Sequence, residues 1–169
     1  DSFTSYGVFT STGFTGLLAN TTYYTQVRAR NGAAIPQETA YVSLGSTMTK
    51  INPPVTDGIS NVQANQLAFT WSPNGNGAGT LYEAQISSFT SFNPVILTSS
   101  TELLSSTFTS LVPNVTYYLQ VRATNPGNNN ISNYTAYMTT GTLANVPSTA
   151  VSTFTAVSSA TVSLQWVTN

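Results

Sequence analysis

Residues that could perform acid–base or nucleophilic chemistry are few and scattered in this sequence. The carboxylates are Asp1, Glu38, Asp57, Glu83 and Glu102. Their spacing indicates neither a general acid–base pair nor a calcium-binding loop. Serine is abundant, but the chain has no histidine, so the usual serine triad would lack its base. A serine–lysine pair would have to use Lys50, the only lysine, which lies close to a linker proline. The sequence therefore predicts no catalytic residues and no enzymatic activity.

Metal and cofactor sites are not indicated either. Zinc, haem, iron–sulfur and thiol chemistry in their usual forms need cysteine or histidine, and the chain has neither. The segment GNGAG at 75–79 is glycine-rich, but it lacks the Lys-Ser/Thr pair and the following helix of a phosphate-binding loop. We interpret it as a loop that joins two strands, and we expect no cofactor and no metal.

The charge of the chain excludes several classes of partner. Charged residues make up 5% of the sequence, where about 25% is usual, and the net charge is −1. Such a chain has no field to attract nucleic acid or acidic lipid, and three arginines are too few for a nucleic-acid footprint. No apolar run approaches the roughly 20 residues that span a bilayer, so we expect no membrane insertion in this segment.

Alternating apolar and polar residues predict β-strands throughout the chain. In TYYLQVRAT, residues 116–124, Tyr117, Leu119 and Val121 would face one side of a sheet. The runs NQLAFTWS, TLYEAQIS and TVSLQWVT alternate in the same way. Turn-forming segments at 52–54, 72–79 and 125–130 separate the runs. Short strands at spacings near ten residues, without helices, predict an all-β antiparallel sandwich.

One stretch of the sequence occurs twice. LLANTTYYTQVRARN at 17–31 and LVPNVTYYLQVRATN at 111–125 are identical at ten of fifteen positions and lie 94 residues apart. The run that ends in Trp71 is likewise echoed 95 residues later by the run around Trp166. The chain therefore contains parts of more than one similar unit.

The ordered pattern resembles the fibronectin type III family, whose fold is an immunoglobulin-like β-sandwich. The matching residues of the second copy are Pro54, Trp71, Tyr82, Leu111, Pro113, Tyr117, Leu119, Val121, Ala123 and Asn125. The resemblance implies that the tryptophans pack in a core and that Tyr23 and Tyr117 are corner tyrosines with a structural role. The structural core that we predict is Trp71, Trp166, Tyr23, Tyr117, Leu17, Leu111, Phe69 and Val121. Ala19 replaces the proline found at Pro113, and we expect this to loosen the turn before the strand.

The repeat predicts the domain organisation. We expect a complete fibronectin type III unit at 51–143, the C-terminal part of a preceding unit at 1–50 and the first two strands of a following unit at 144–169. SFTSY at 2–6 resembles SFTSF at 88–92, which places the start of the chain just after a third strand. Two explanations stay open: the residues are a window on a longer tandem array, or neighbouring chains complete each other's sandwiches.

Four asparagines stand in Asn-x-Ser/Thr sequons and could carry glycans in a glycosylating host. They are Asn20, Asn114, Asn130 and Asn133. Tyr24 and Tyr118 face outward in both copies, either for cross-strand packing, which we favour, or as a carbohydrate platform.

The surface composition predicts a structural role. Serine and threonine number 50 and asparagine 16, so neighbouring β surfaces can approach without moving many ions out of water. We expect an extracellular or cell-surface repeat protein that forms a filament, sheath or stalk, with other copies of itself as partners. The alternatives are a spacer or carbohydrate-associated module of a secreted polysaccharide-degrading enzyme and a receptor-type adhesion module, whose loops 72–79 and 125–130 could bind a partner.

Overall fold

The computed structural model describes residues 11–125 and 128–168, and the regular structure in these ranges is entirely β-strand. The strands are β1 Thr22–Val27, β2 Val42–Met48, β3 Val55–Ser60, β4 Gln66–Ser72, β5 Leu81–Ser87, β6 Leu97–Thr101, β7 Ser105–Thr109, β8 Thr116–Asn125, β9 Asn130–Ile131, β10 Met138–Gly141, β11 Ser148–Val157 and β12 Val162–Val167. The predicted all-β fold class is confirmed.

Strands β3 to β10 form a two-layered unit, which we call the central sandwich. One layer is a three-stranded sheet in the order β3-β4-β7. The other is a five-stranded sheet in which β10, β8, β5 and β6 are neighbours and β9 pairs with β8. All pairs within these sheets are antiparallel. Because both sheets contribute to one cluster of buried apolar residues, they pack face to face.

The core follows from the alternation of the strands that line it. The inward-facing residues of β4 and β8 include Leu67, Phe69, Trp71, Tyr117, Leu119 and Val121, and each of these is at most 2% exposed. The Trp71 ring lies between Phe69 and Tyr82, at centroid distances of 5.5 and 5.9 Å. Tilted aromatic contacts of this kind add to the burial of apolar area. The middle of the sandwich is therefore held by aromatic packing between its two layers.

Both corner tyrosines make the bond that the resemblance implies. The Tyr117 hydroxyl accepts a hydrogen bond from the backbone N–H of Val112 at 3.0 Å. The Tyr23 hydroxyl accepts one from the N–H of Leu18 at 2.9 Å. In each case the ring reaches back to the turn before its strand and holds the turn against the sheet. Leu111, at the turn before Tyr117, is buried.

Two separate two-stranded sheets flank the central sandwich. The N-terminal ribbon is β1 paired with β2, and the C-terminal ribbon is β11 paired with β12. In a β-sandwich each sheet packs against a second sheet. Among the described residues, no second sheet packs against either ribbon. Their apolar side chains are exposed accordingly: Leu164 is 57% exposed, where the corresponding Phe69 is fully buried.

This difference corrects part of the predicted core. Trp166 is 64% exposed, whereas Trp71 is 1% exposed. Leu17 and Tyr23 are only half-buried. The physical reason is that a single two-stranded layer offers no opposing side chains to its apolar face. Residues 2–6, on which we based the prediction that the chain starts just after a third strand, lie outside the described residues.

The contrast predicts unequal costs for the same substitution. Leu67→Ala removes a fully buried side chain between two sheets and is expected to lower the free energy of unfolding by about 2–5 kcal/mol. Leu164→Ala alters a side chain that is 57% exposed and should cost about 0.5 kcal/mol or less. Urea denaturation of the two variants beside the wild-type chain measures both values. Equal losses would contradict the assignment of the core to the central sandwich.

Candidate functional site

The N-terminal ribbon meets the central sandwich at a contact that consists largely of asparagine side chains and backbone. One side is formed by residues 19–21 and 49–53. The other side is formed by residues 73–80 together with Asn125 and Asn130. We call this contact the junction.

Asn20 is the centre of the junction. Its side chain is 7% exposed, and its amide nitrogen donates to the Thr80 hydroxyl at 2.9 Å. Its amide oxygen accepts hydrogen bonds from the side chains of Asn125 and Asn130, at 3.2 and 3.4 Å. A buried amide costs free energy unless it is hydrogen-bonded, and this one is bonded through both of its polar atoms. Asn20 also adopts a φ of 50°, a left-handed conformation that asparagine tolerates better than most residues.

The linker after β2 comprises residues 49–53. Asparagine side chains make hydrogen bonds to its backbone that a neighbouring strand would make in a sheet. The N–H of Asn52 donates to the Asn76 amide oxygen, and the Asn76 amide nitrogen donates back to the carbonyl of Asn52, both at 2.8 Å. The Asn74 side chain donates to the carbonyl of Pro53 at 2.7 Å. A primary amide offers a donor and an acceptor together, so it can pair with a backbone peptide as another peptide would.

Asn130 completes the support of the linker from a second loop. Its amide oxygen accepts from the N–H of Ile51 at 3.2 Å, and its nitrogen donates to the carbonyl of Thr49 at 3.1 Å. The linker is therefore held from two sides by uncharged groups. Rotation of the N-terminal ribbon against the sandwich would break several of these bonds at once.

Ala19 contributes to the junction through its backbone. Its N–H donates to the carbonyl of Gly75 at 3.2 Å, and its carbonyl accepts from the N–H of Gly77 at 3.1 Å. A proline, as at Pro113, has no N–H and could not make the first bond. A Cβ on Gly77 would lie 3.0 Å from the Thr21 hydroxyl oxygen, so the glycine allows this close approach.

The two loops that sequence reasoning singled out as candidate binding loops thus contact the preceding part of the same chain. Residues 73–80 contain Asn74, Asn76 and Thr80, none of which was predicted as a site residue. The available signal was the accumulation of asparagine in both loops. Composition alone did not indicate that these segments meet.

A family model described as fibronectin type III domain matches residues 52–140, just over half of the chain. The chain belongs to the fibronectin type III family. Comparison with curated proteins found no match. Fibronectin type III domains are generally non-catalytic modules and are common in extracellular adhesion and structural proteins.

Solved structures resemble this fibronectin type III chain in fold. Domains d3–d4 of the rat CD45 extracellular region align over 84% of this chain and 75% of their own, with 13% identity and a TM-score of 0.52. The fibronectin type III domain of human fibronectin type III domain containing protein 3 aligns over 57% of this chain and 90% of its own, with 21% identity and a TM-score of 0.49.

Hydrogen bonds of the fibronectin type III sandwich recur in the N-terminal ribbon. The Thr142 hydroxyl accepts from the N–H of Val115 at 3.1 Å, and the Thr49 hydroxyl accepts from the N–H of Thr21 at 3.1 Å. Each of these hydroxyls also donates to a turn carbonyl, at 2.7 and 2.6 Å respectively. The turn before the corner tyrosine is therefore fastened in the same way at both places.

An ion pair and an aromatic ring form a cluster on the outer face of the five-stranded sheet. Arg122 bonds Glu83 at 3.0 Å and lies over the Tyr134 ring, 4.6 Å from its centroid. The Tyr134 hydroxyl donates to the same carboxylate. Burial raises the pKa of Tyr134 well above its ordinary value, and the bond to Glu83 and the negative charge of Glu83 raise it further, while Arg122 opposes them.

A similar cluster, with a carboxylate from another position, lies in the segment between β1 and β2. Arg28 bonds Glu38 at 2.5 Å and lies 4.7 Å from the centroid of the Tyr41 ring. Both arginines thus lie over side chains of their own sheet, as expected for surface residues. The junction itself contains no ion pair among the described residues.

The outward tyrosines differ between the two copies. Tyr118 packs edge-on against Tyr137, with ring centroids 5.3 Å apart. Tyr24 is 84% exposed. Cross-strand packing, the interpretation that we favoured for this position, is therefore present at Tyr118.

The four sequons lie in unequal surroundings. Asn20 is buried, and the nitrogen that would carry a glycan is bonded to Thr80. The Asn130 nitrogen is bonded to the linker. Asn114 and Asn133 are exposed. A glycan on Asn20 or Asn130 would therefore displace bonds of the junction, whereas Asn114 and Asn133 leave space for one.

No group of three or more potential metal-ligating side chains comes together within residues 11–125 and 128–168. The same ranges contain no helix that is long and apolar enough to cross a membrane.

The junction predicts a specific effect of Asn20→Ala. The substitution removes three side-chain hydrogen bonds and should lower the free energy that holds the ribbon on the sandwich by about 1–3 kcal/mol. Asn114→Ala is a matched control, because Asn114 has a similar φ of 55° but is exposed. Hydrogen exchange at the amides of residues 19–21 should accelerate in the first variant and not in the second. Equal exchange in both would contradict the network.

The outer cluster predicts a loss of stability at alkaline pH. Because burial raises the pKa of Tyr134 in the folded chain above the ordinary 10.0, the unfolded state releases this proton first as the pH rises. The contribution of Tyr134 to the free energy of unfolding is therefore fully present below pH 10 and decreases above it. In the Tyr134→Phe variant the free energy of unfolding should decrease less steeply above pH 10. Near neutral pH its dependence on pH should equal that of the wild-type chain. Denaturation at a series of pH values measures both slopes, and identical alkaline slopes would refute the assignment.

Proposed function

We propose that this chain is a non-catalytic structural segment of an extracellular filament, sheath or surface stalk. In this proposal fibronectin type III units follow one another in tandem: the end of one at 1–50, a complete one at 51–143 and the start of another at 144–169. Their partners are other copies of the same unit, and the role of the segment is to keep a fixed spacing and orientation between units.

The observation that carries this proposal is the bonding of the junction. Residues 49–53 connect two β units, and a flexible connection would leave their backbone to water. Here Asn74, Asn76 and Asn130 bond that backbone directly, and Asn20 is buried beside it. A connection held in this way transmits orientation from one unit to the next, which an extended assembly requires.

Residues that could form a second junction follow at the equivalent places. Asn114 corresponds to Asn20, and Asn145 corresponds to Asn52. The N–H of Asn114 donates to the carbonyl of Leu143 at 3.1 Å, much as the N–H of Asn20 donates to the carbonyl of Lys50 at 3.1 Å. This agreement supports a tandem arrangement in which every unit is joined to the next by the same chemistry.

The surface also favours assembly over recognition of a soluble ligand. The exterior has few ions that would have to leave water when units pack together. The loops expected to bind a partner in a receptor-type module are engaged in the junction. Of the two outward rings that a carbohydrate platform would need, Tyr118 packs edge-on against Tyr137 while Tyr24 is 84% exposed, so the two copies do not present the same exposed ring.

Electron microscopy of the native material that contains this chain tests the proposal. We expect filaments or sheaths with an axial repeat of one or two sandwich lengths. Two-dimensional averages should show adjacent units at a constant angle, because the junction restricts bending. Isolated particles, or beads joined at variable angles, would overturn the structural role.

A further inference from the structure

We propose that Asn76 is a site of spontaneous deamidation, that the closed junction suppresses this reaction, and that the reaction holds the junction open once the junction has opened. The only co-reactant is water from the solvent. This inference rests on the junction that carries the proposed function, and it adds an irreversible chemical step to that junction.

The reaction joins the Asn76 side chain to the backbone nitrogen of Gly77. Glycine follows asparagine here, and its lack of a Cβ leaves the nitrogen open to ring closure. The nitrogen loses its proton to the solvent and bonds to Cγ of Asn76, while the Cγ–Nδ2 bond breaks and Nδ2 leaves as ammonia. Water then opens the succinimide ring at either carbonyl and leaves aspartate or isoaspartate at position 76. One water is consumed and one ammonia released, without oxidation or reduction.

In the closed junction both reacting groups are held by the other side of the contact. The N–H of Gly77 donates to the carbonyl of Ala19 at 3.1 Å. The Asn76 amide is bonded to the backbone of Asn52 through both its oxygen and its nitrogen, at 2.8 Å each, and the residue is 8% exposed. Ring closure requires the side chain to turn back onto its own backbone. These three bonds must therefore break first.

The contact itself requires this reactive pair of residues. A side-chain amide is needed at position 76 because it pairs with both backbone groups of Asn52. A glycine is needed at position 77 because a Cβ there would lie 3.0 Å from the Thr21 hydroxyl oxygen. The geometry that closes the junction thus places a labile Asn-Gly sequence at its centre.

Either product opposes closure of the junction. Aspartate has no amide N–H, so the carbonyl of Asn52 would lose its donor and face a carboxylate oxygen. The new charge would also have to be buried, which costs free energy without a partner of opposite charge. Isoaspartate lengthens the main chain by one methylene and displaces Gly77 from the carbonyl of Ala19. A junction that has opened and reacted therefore stays open.

A second Asn-Gly sequence, at 31–32, provides an internal reference. Asn31 is exposed. Its side-chain oxygen accepts from the N–H groups of Ala33 and Gln37, at 3.4 and 2.9 Å, within the segment between β1 and β2. Because these partners lie outside the junction, opening of the junction should not change the rate at Asn31.

Site-resolved mass spectrometry of the intact chain, aged at mildly alkaline pH and then digested with pepsin in acid, tests the suppression. Asn76 should convert more slowly in the native chain than in the same chain unfolded in urea. Asn20→Ala should accelerate conversion at Asn76 about tenfold, because the rate follows the population of the open junction. Conversion at Asn31 should not change, and Asn114→Ala should alter neither site. Equal rates at Asn76 in wild type and Asn20→Ala would overturn the suppression.

Asn76→Asp carries one product of the reaction and tests the second half of the proposal. Hydrogen exchange at the amides of residues 19–21 should accelerate about tenfold or more in this variant. Asn31→Asp is the matched control, since a carboxylate oxygen can still accept the two bonds made there. Urea denaturation shows that both variants keep the central sandwich. Unchanged exchange in Asn76→Asp, or equal acceleration in both variants, would overturn the claim that the reaction holds the junction open.

Two further outcomes separate this inference from the proposed function. Conversion of Asn76 in the native chain at the rate found in urea, while the amides of residues 19–21 stay protected, would overturn the inference and leave the proposed function standing. Free exchange of these amides in the unmodified wild-type chain would overturn the rigid connection itself, and the inference with it.

Discussion

The structure depends on one constraint: the backbone between two β units must find hydrogen-bond partners where no neighbouring strand supplies them. Asparagine meets this constraint because its amide has the donor and the acceptor of a peptide at the end of a short side chain. Asn76 pairs with both backbone groups of Asn52, and Asn130 bonds Ile51 and Thr49. The hydrogen bonds that order the connection are made by uncharged groups.

Whether a second sheet covers an apolar strand decides how much that strand contributes to stability. The pair β3–β4 and the pair β11–β12 have related sequences, yet Trp71 is 1% exposed and Trp166 is 64% exposed. The hydrophobic contribution to stability is proportional to the apolar area removed from water. The same residue type therefore stabilises the central sandwich, where it is buried, and contributes little in the ribbon, where it is exposed.

Four of the charged side chains form two ion pairs outside the junction. Arg122 and Arg28 each bond a carboxylate and lie over a tyrosine ring on an outer sheet face. Their guanidinium planes cover aromatic surface while remaining partly hydrated. Among the described residues the junction contains no ion pair, and residues 148–167 contain no charged side chain.

Local pattern determined the strands and the inner faces of β4 and β8, because alternation with period two reflects one residue and its immediate neighbours. The resemblance to fibronectin type III domains implied the corner tyrosines. Tertiary structure decided the rest. Pattern could not show that Trp166 lacks a covering sheet, since burial depends on residues distant in sequence. Nor could it show that Asn20 meets Thr80, 60 residues away, or that Ala19 uses an N–H which proline lacks. Those contacts exist only once two loops and a linker have been brought to the same place.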